Sequence, residues 1–68
     1  MTIVVNGQGV ALTGPLTVSG LLVDQKVKMP DMVSVELNGT ILRREAFDTT
    51  SLKEGDQVEF LYFMGGGL

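Results

Sequence analysis

The sequence predicts an α+β fold, in which one main helix covers one face of a mixed sheet of four or five strands. Three observations support this class. Short segments rich in β-branched residues lie between glycine-containing turns, a single segment places apolar residues at helical spacing, and the last strand is the most apolar. The predicted order is strand, strand, helix, strand, short strand and strand, so one helix serves one face of the sheet.

The first two strands are expected to form a hairpin. β-Branched residues favour a strand over residues 2–6, Gly7-Gln8-Gly9 favours a tight turn, and residues 10–13 return as the second strand. Gly14-Pro15 then ends the hairpin, because both residue types interrupt regular structure.

Thr17 is placed to cap a helix over residues 18–27. Residues at helical spacing form an apolar stripe on one face of this helix: Val18, Leu21, Leu22 and Gln25. Gly20 within the helix costs about 1 kcal/mol relative to alanine. It indicates either close packing against the sheet or a weak helix.

The clearest hairpin signal lies in the second half of the chain. Residues 32–37 alternate apolar and polar side chains, Asn38-Gly39 follows at once, and residues 40–42 return as a short strand. Residues 43–47 have no strand period and suit an irregular or single-turn segment tucked under Phe47.

The last strand covers residues 57–64 and follows a turn at residues 52–56. We expect this strand to lie in the centre of the sheet, where neighbours on both edges satisfy its backbone. Its side chains alternate between the two faces of the sheet. One face carries Val58, Phe60, Tyr62 and Met64, and the other carries Glu59, Leu61 and Phe63.

Both faces of this strand are apolar near its end, although one helix covers only one of them. The face with Leu61 and Phe63 is therefore a candidate docking patch, unless the segment around Phe47 covers it. Arg43 and Arg44 either pair with acidic residues of a partner or lie in a solvated turn, and we expect the solvated turn.

The composition excludes several function classes. A chain of 68 residues forms one domain with little material for an enclosed active site. The absence of cysteine and histidine removes thiolate metal sites and the usual general base, so we expect no metal site and no independent enzyme. The net charge of −3 disfavours nucleic-acid binding, and no apolar run approaches the roughly 18 residues of a membrane span. We expect a soluble, cytoplasmic protein.

A glycine tail at residues 65–68 follows the apolar strand directly, so that residues 1–64 form the folded domain. Glycine adds nothing to a core and loses much conformational freedom on ordering. We therefore expect another protein to use the tail in an extended state, although a frayed terminus is the simpler alternative.

Three segments carry a family resemblance: residues 35–39 with Arg43-Arg44-Glu45 after them, residues 52–58, and the glycine end. Together they resemble the ubiquitin-like β-grasp sulfur carriers, and most closely the ThiS family of the thiamine pathway. The resemblance spans essentially the whole chain and implies the β-grasp fold. By analogy with ubiquitin-like folds, Val58, Phe60 and Tyr62 face the helix.

The resemblance also implies a function as a sulfur carrier. In this family an E1-like adenylyltransferase of the ThiF type uses ATP to adenylate the terminal carboxylate. A sulfurtransferase or cysteine desulfurase supplies sulfur, and a ThiG-type thiazole synthase consumes the resulting thiocarboxylate. The family's terminal glycine falls on Gly67, with Gly66 beside it, and the carrier itself binds no cofactor. The residues expected to contact partners are Leu61, Phe63, Met64 and Gly65.

Leu68 departs from the family pattern, because it lies where the family presents a free glycine carboxylate. It is either removed by processing or the remnant of an expression tag, and we expect the remnant. Two other functions fit the same residues. The chain could carry sulfur for molybdopterin or another pathway, or act as a non-catalytic β-grasp binding or modifier module.

Overall fold

The computed structural model describes residues 1–62. Its strands are β1 (Thr2–Val5), β2 (Gln8–Ala11), β3 (Val33–Leu37), β4 (Thr40–Leu42) and β5 (Gln57–Tyr62), its α-helix is α1 (Val18–Asp24), and a 3₁₀ helix spans Arg44–Ala46. The tail at residues 65–68 and the end of the expected last strand, residues 63–64, lie outside the described residues.

The last strand, β5, lies in the centre of the sheet, which confirms the prediction. The strand order is β2-β1-β5-β3-β4, with β1 and β5 parallel and the other neighbours antiparallel. Because β5 has a neighbour on each side, most of its backbone groups find partners within the sheet. The predicted α+β class, with a mixed sheet and one main helix, is confirmed.

The core lies between the sheet and α1. Its buried side chains come from α1, from alternate positions of β1, β3 and β5, and from the connecting segments. They are Ile3, Val5, Leu12, Val18, Leu21, Leu22, Val33, Val35, Phe47, Leu52 and Val58. Three of the four residues of the predicted stripe are in this core, and the fourth, Gln25, forms the C-cap of the helix. Phe47 is buried beside the 3₁₀ helix, as predicted.

The start of α1 confirms the predicted cap. The side-chain oxygen of Thr17 accepts a hydrogen bond from the backbone N–H of Gly20 at 3.1 Å. A Cβ atom at Gly20 would lie 2.7 Å from Cδ1 of Leu16. The close packing at Gly20 is therefore against the segment before the helix, and the alternative of packing against the sheet was wrong.

The helix ends three residues earlier than predicted. Lys26 adopts the left-handed conformation, with φ of +57°, and its N–H donates to the carbonyl of Val23 at 3.0 Å. The N–H of Val27 donates to the carbonyl of Leu22, also at 3.0 Å. These two bonds form a Schellman motif, which ends a helix and usually has glycine where this chain has Lys26. Within residues 1–62, no helix has the length and apolar character to span a bilayer.

The first hairpin turns earlier than predicted. Asn6 and Gly7 both have positive φ, +50° and +83°, as a two-residue type I′ turn requires, and Val5 pairs with Gln8. The expected turn at Gly7-Gln8-Gly9, with a strand at residues 10–13, was wrong, because the Asn6-Gly7 pair forms the turn and Gln8 and Gly9 already belong to β2. The second Asn-Gly hairpin is confirmed, since Leu37 pairs with Thr40.

Burial on α1 predicts a clear contrast between two substitutions. Leu21 is fully buried and Val23 is 78% exposed. We expect Leu21→Ala to lower the free energy of unfolding by about 2–5 kcal/mol, because it removes core contacts and leaves a cavity. Val23→Ala should change that free energy by no more than about 0.5 kcal/mol. Urea denaturation followed by circular dichroism measures both, and similar losses in the two variants would contradict this packing.

Candidate functional site

The candidate site lies where β5 approaches the glycine tail. The end of β5 is held opposite β3, where Tyr62 pairs with Val33. On the other side, Val58 pairs with Val5 of the parallel strand β1. The strand that precedes the tail is therefore anchored in the middle of the sheet rather than at its edge.

Asparagine side chains from the two Asn-Gly turns bind β5, one at its first residue and the other at its fourth. Oδ1 of Asn6 accepts a hydrogen bond from the N–H of Phe60 at 2.8 Å, and Oδ1 of Asn38 accepts one from the N–H of Gln57 at 2.8 Å. The backbone N–H of Asn6 also donates to the carbonyl of Val58 at 2.9 Å. The side chain of Asn6 thus continues the pairing of β5 beyond the point where the β1 backbone turns away.

The start of β5 is fixed through Asp56, the residue that precedes the strand. One carboxylate oxygen of Asp56 accepts from Nδ2 of Asn38 at 3.0 Å, and the other accepts from the backbone N–H of Lys53 at 2.8 Å. Gly55 within this turn has a φ of +83°. The predicted turn at residues 52–56 is therefore present, and its carboxylate joins the second hairpin to the start of β5.

The helix-side face of β5 is covered only in part. Val58 is buried, Phe60 is half-buried against the core, and Tyr62 is 47% exposed. These three side chains lie on the predicted side, but α1 ends before it reaches Tyr62. Because Tyr62 is about half-exposed, its hydroxyl does not need the hydrogen-bond partner that a buried tyrosine would need.

The opposite face of β5, here called the outer face, carries Leu61. Strand register places Leu61 opposite Ser34 and places Glu59 opposite Glu36, which in turn pairs with the half-exposed Ile41 of β4. Two carboxylates directly opposite each other disfavour pairing, so this face is acidic at a cost in stability. Leu61 is half-buried there.

The segment around Phe47 does not cover the outer face. The backbone carbonyl of Phe47 accepts a hydrogen bond from the N–H of Ser19 in α1 at 3.0 Å, which places Phe47 on the helix side of the sheet. The alternative in which this segment covers Leu61 is therefore wrong, and within residues 1–62 no helix lies over the outer face.

Arg43 and Arg44 have different environments. Arg43 is exposed and forms an ion pair with Glu45 at 3.5 Å, as expected for a solvated turn. Arg44 instead donates to the carbonyls of Pro30 and Val33, at 2.7 and 2.6 Å, and its guanidinium carbon lies 5.2 Å from the centre of the Phe47 ring. Arg44 is exposed as well, so both arginines lie in a solvated turn as expected, and the side chain of Arg44 also joins the loop before β3 to the 3₁₀ helix.

The remaining predicted site residues lie outside the described residues. They are Phe63, Met64, Gly65, Gly66 and Gly67. Of the predicted site, the structure therefore describes Leu61 and the strand that leads to the others. Sequence reasoning missed Asn6, although the Asn-Gly pair was a signal that could have identified it.

Comparison with known proteins shows the family. The model of the ThiS family matches residues 3–67. The chain belongs to the ThiS family. This membership confirms the resemblance stated above and makes the chain one of a family of small sulfur carriers.

Two solved structures and one curated protein are similar to the chain. A crystal structure of a thiamine biosynthesis protein (ThiS) from Geobacter metallireducens is 54% identical, covers 98% of this chain and 100% of its own, and has a TM-score of 0.90. A solution NMR structure of a thiamine biosynthesis protein from the same organism is 53% identical, covers 100% of this chain and 90% of its own, and has a TM-score of 0.79. A thiazole synthase from Magnetococcus marinus is 34% identical over 67 residues, which are 98% of this chain and 20% of that protein. The chain thus spans about a fifth of the length of this curated relative.

The side-chain bond from Asn6 predicts a local effect on β5. Asn6→Gly keeps the positive φ of the turn but removes the acceptor for the Phe60 N–H. We expect hydrogen exchange at the Phe60 amide to accelerate about two- to tenfold, since a hydrogen bond contributes roughly 0.5–1.5 kcal/mol. Residue-resolved exchange by NMR measures this. Asn38→Gly is the matched control and should accelerate exchange at Gln57 instead, so identical patterns in the two variants would contradict the assignment.

Proposed function

We propose that this chain is a sulfur carrier of thiamine biosynthesis, and that it bears sulfur as a thiocarboxylate on Gly67. The observation that carries this proposal is the extent of the family match, which continues from β1 through the glycines to Gly67 and stops before Leu68. The 54% identity to the Geobacter metallireducens protein supports the same pathway. In this proposal Gly67 is the terminal residue of the active carrier.

The proposed chemistry activates a carboxylate that is otherwise a poor electrophile. A carboxylate oxygen of Gly67 attacks the α-phosphorus of ATP and pyrophosphate leaves, which produces an acyl adenylate. A persulfide from the sulfur donor then attacks the acyl carbon and AMP leaves. A thiol cleaves the S–S bond of the acyl disulfide, which releases the thiocarboxylate and oxidises the thiol to a disulfide.

The partners supply the reactive groups for these steps. The chain has neither histidine nor cysteine, so the ATP site, the persulfide and the reducing thiol belong to the E1-like adenylyltransferase and the sulfur donor. The carrier contributes an acyl group without a side chain near it, because Gly66 precedes Gly67. In this proposal the chain is a co-substrate rather than an enzyme.

Thiazole synthase is the proposed acceptor of the sulfur. A thiazole synthase from Magnetococcus marinus contains a stretch similar to nearly all of this chain, within a polypeptide about five times as long. Joining a carrier-like segment to an enzyme raises their effective concentration and supports direct contact between them. We propose that a separate thiazole synthase meets this carrier in the same way.

The outer face supplies the proposed docking patch for these partners. Leu61 lies there close to the end of β5, no described helix covers it, and Ile41 on the same face is 54% exposed. The predicted contacts of Phe63, Met64 and Gly65 with partners remain part of this proposal, although these residues lie outside the described part of the chain.

Sulfur loading is tested by intact mass. A chain that ends at Gly67, incubated with ATP, an active E1-like enzyme and a sulfur source, should gain the mass difference of one sulfur replacing one oxygen. The chain that still carries Leu68 should remain unchanged, because its carboxylate is not on glycine. No mass change in the chain ending at Gly67, with the enzyme shown to act on another carrier, would reject the proposal and favour a binding module.

Shortening or blocking the tail should separate function from folding. We expect Gly67→Ala, or a chain that ends at Gly66, to lose sulfur loading, because the acyl group is crowded or displaced. The free energy of unfolding should stay within about 0.5 kcal/mol of the unmodified chain. Mass spectrometry and urea denaturation measure the two properties, and normal loading of either variant would contradict the role of Gly67.

Leu61 should contribute to partner binding rather than to stability. We expect Leu61→Ser to weaken the affinity for the E1-like enzyme by about tenfold, as for a moderately important interface side chain. The control is Val23→Ser on α1, where the side chain is 78% exposed on the opposite side of the molecule. Titration calorimetry measures both affinities, and equal values for the two variants would exclude the outer face as the docking patch.

A further inference from the structure

A groove of about 650 Å³ opens on the helix side of the sheet, beyond the end of α1. One wall is formed by the first hairpin, the other by residues 25–29, and the floor by the end of β5. Its apolar side chains include Val10, Val27, Met29, Phe60 and Tyr62. This surface is distinct from the outer face, which lies on the other side of the sheet.

The groove exists because the helix is short. The Schellman motif ends α1 at Asp24, so the helix covers Val58 but leaves Phe60 and Tyr62 to the loop that follows. Met29 and Tyr62 at this groove are 52% and 47% exposed, respectively. These two large apolar side chains have about half their surface in water beside an open groove, so that a partner can cover them there.

The charge of the groove is opposite to that of the protein as a whole. Lys26 and Lys28 line the groove and no carboxylate does, whereas the chain has a net charge of −3. Within residues 1–62, neither lysine forms an ion pair. The outer face, in contrast, places Glu36 opposite Glu59. A negatively charged segment of a partner is therefore attracted to the groove and repelled from the outer face.

The groove also lies beside the route to the reactive end. Phe60 and Tyr62 belong to β5, and Tyr62 is five residues before Gly67. Five residues of extended chain span at most about 18 Å. A protein that accepts sulfur from Gly67 must therefore approach to within that distance of the groove.

We propose that this groove docks a segment of thiazole synthase in which an apolar side chain lies next to a carboxylate. The apolar side chain packs against Phe60, Met29 and Tyr62, and the carboxylate pairs with Lys26 or Lys28. Thiazole synthase is the chosen partner because a protein of that name contains a stretch similar to this chain, so that the two parts occur within one polypeptide at high effective concentration. This inference rests on the proposed function.

The test compares two double variants of equal charge. K26E/K28E reverses both lysines of the groove, and R43E/K53E reverses two basic residues away from it. We expect K26E/K28E to weaken binding to purified thiazole synthase at least about tenfold in titration calorimetry, and R43E/K53E to change it less than about twofold. Higher salt should weaken binding of the unmodified carrier, whereas it should strengthen the residual binding of K26E/K28E because it screens the repulsion between like charges.

A neutral variant checks the apolar part of the groove. Met29→Gln should weaken the affinity for thiazole synthase while its salt dependence stays that of the unmodified carrier, because both lysines remain. Met29 is 52% exposed, so this substitution leaves the core intact. Circular dichroism during heating verifies that each variant is folded before binding is measured.

Three results overturn the proposal. Equal losses of affinity in K26E/K28E and R43E/K53E would show a general charge effect. If folded K26E/K28E binds thiazole synthase as tightly as the unmodified carrier, and the unmodified carrier accepts and donates sulfur, the groove is not the docking site. The proposed function then still stands. If K26E/K28E loses affinity for the E1-like enzyme but not for thiazole synthase, the groove binds the E1-like enzyme and the proposal names the wrong partner. If instead the unmodified carrier accepts no sulfur, the proposed function itself fails.

Discussion

The pairing of β5 on both of its edges is the constraint on which the rest of the structure depends. In the proposed function, the chain presents one end to other proteins while the domain stays folded. Here the strand before that end pairs with β1 in parallel and with β3 antiparallel. The side chains of Asn38 and Asn6 add hydrogen bonds to the backbone N–H groups of Gln57 and Phe60. The strand that leads to the tail therefore belongs to the centre of the sheet, with β1 beside its first residues and β3 beside it as far as Tyr62.

The shortness of α1 gives this small domain two different surfaces. The helix covers the buried half of one sheet face and ends at Asp24, which leaves the groove beside Phe60 and Tyr62. Within the described chain the outer face has no helix over it. A 68-residue domain buries a smaller share of its surface than a larger one, so several large apolar side chains outside the core stay exposed. The remaining apolar side chains are left at positions where a partner can use them.

Charge separates these two surfaces. The outer face carries Glu36 and Glu59 on directly opposed strand positions, and the groove carries Lys26 and Lys28. The opposed carboxylates disfavour strand pairing, and the left-handed backbone of Lys26 is less favourable than glycine would be there. Both features reduce stability for no gain within the domain. The opposite charges of the outer face and the groove can, however, orient a partner that contacts both surfaces, since each surface repels the charge that the other attracts.

The sequence by itself determined the α+β class, the cap at Thr17, the second Asn-Gly hairpin and the central position of β5, because each depends on neighbouring residues or on apolar content alone. It also contained the signal for the turn at Asn6, which competing glycines obscured. Only the tertiary structure decided the role of Arg44, whose carbonyl partners Pro30 and Val33 lie 14 and 11 residues away in the chain. The same holds for the groove, which brings together the first hairpin, the loop after α1 and β5. Such contacts depend on how the elements pack, and no local pattern of residues encodes them.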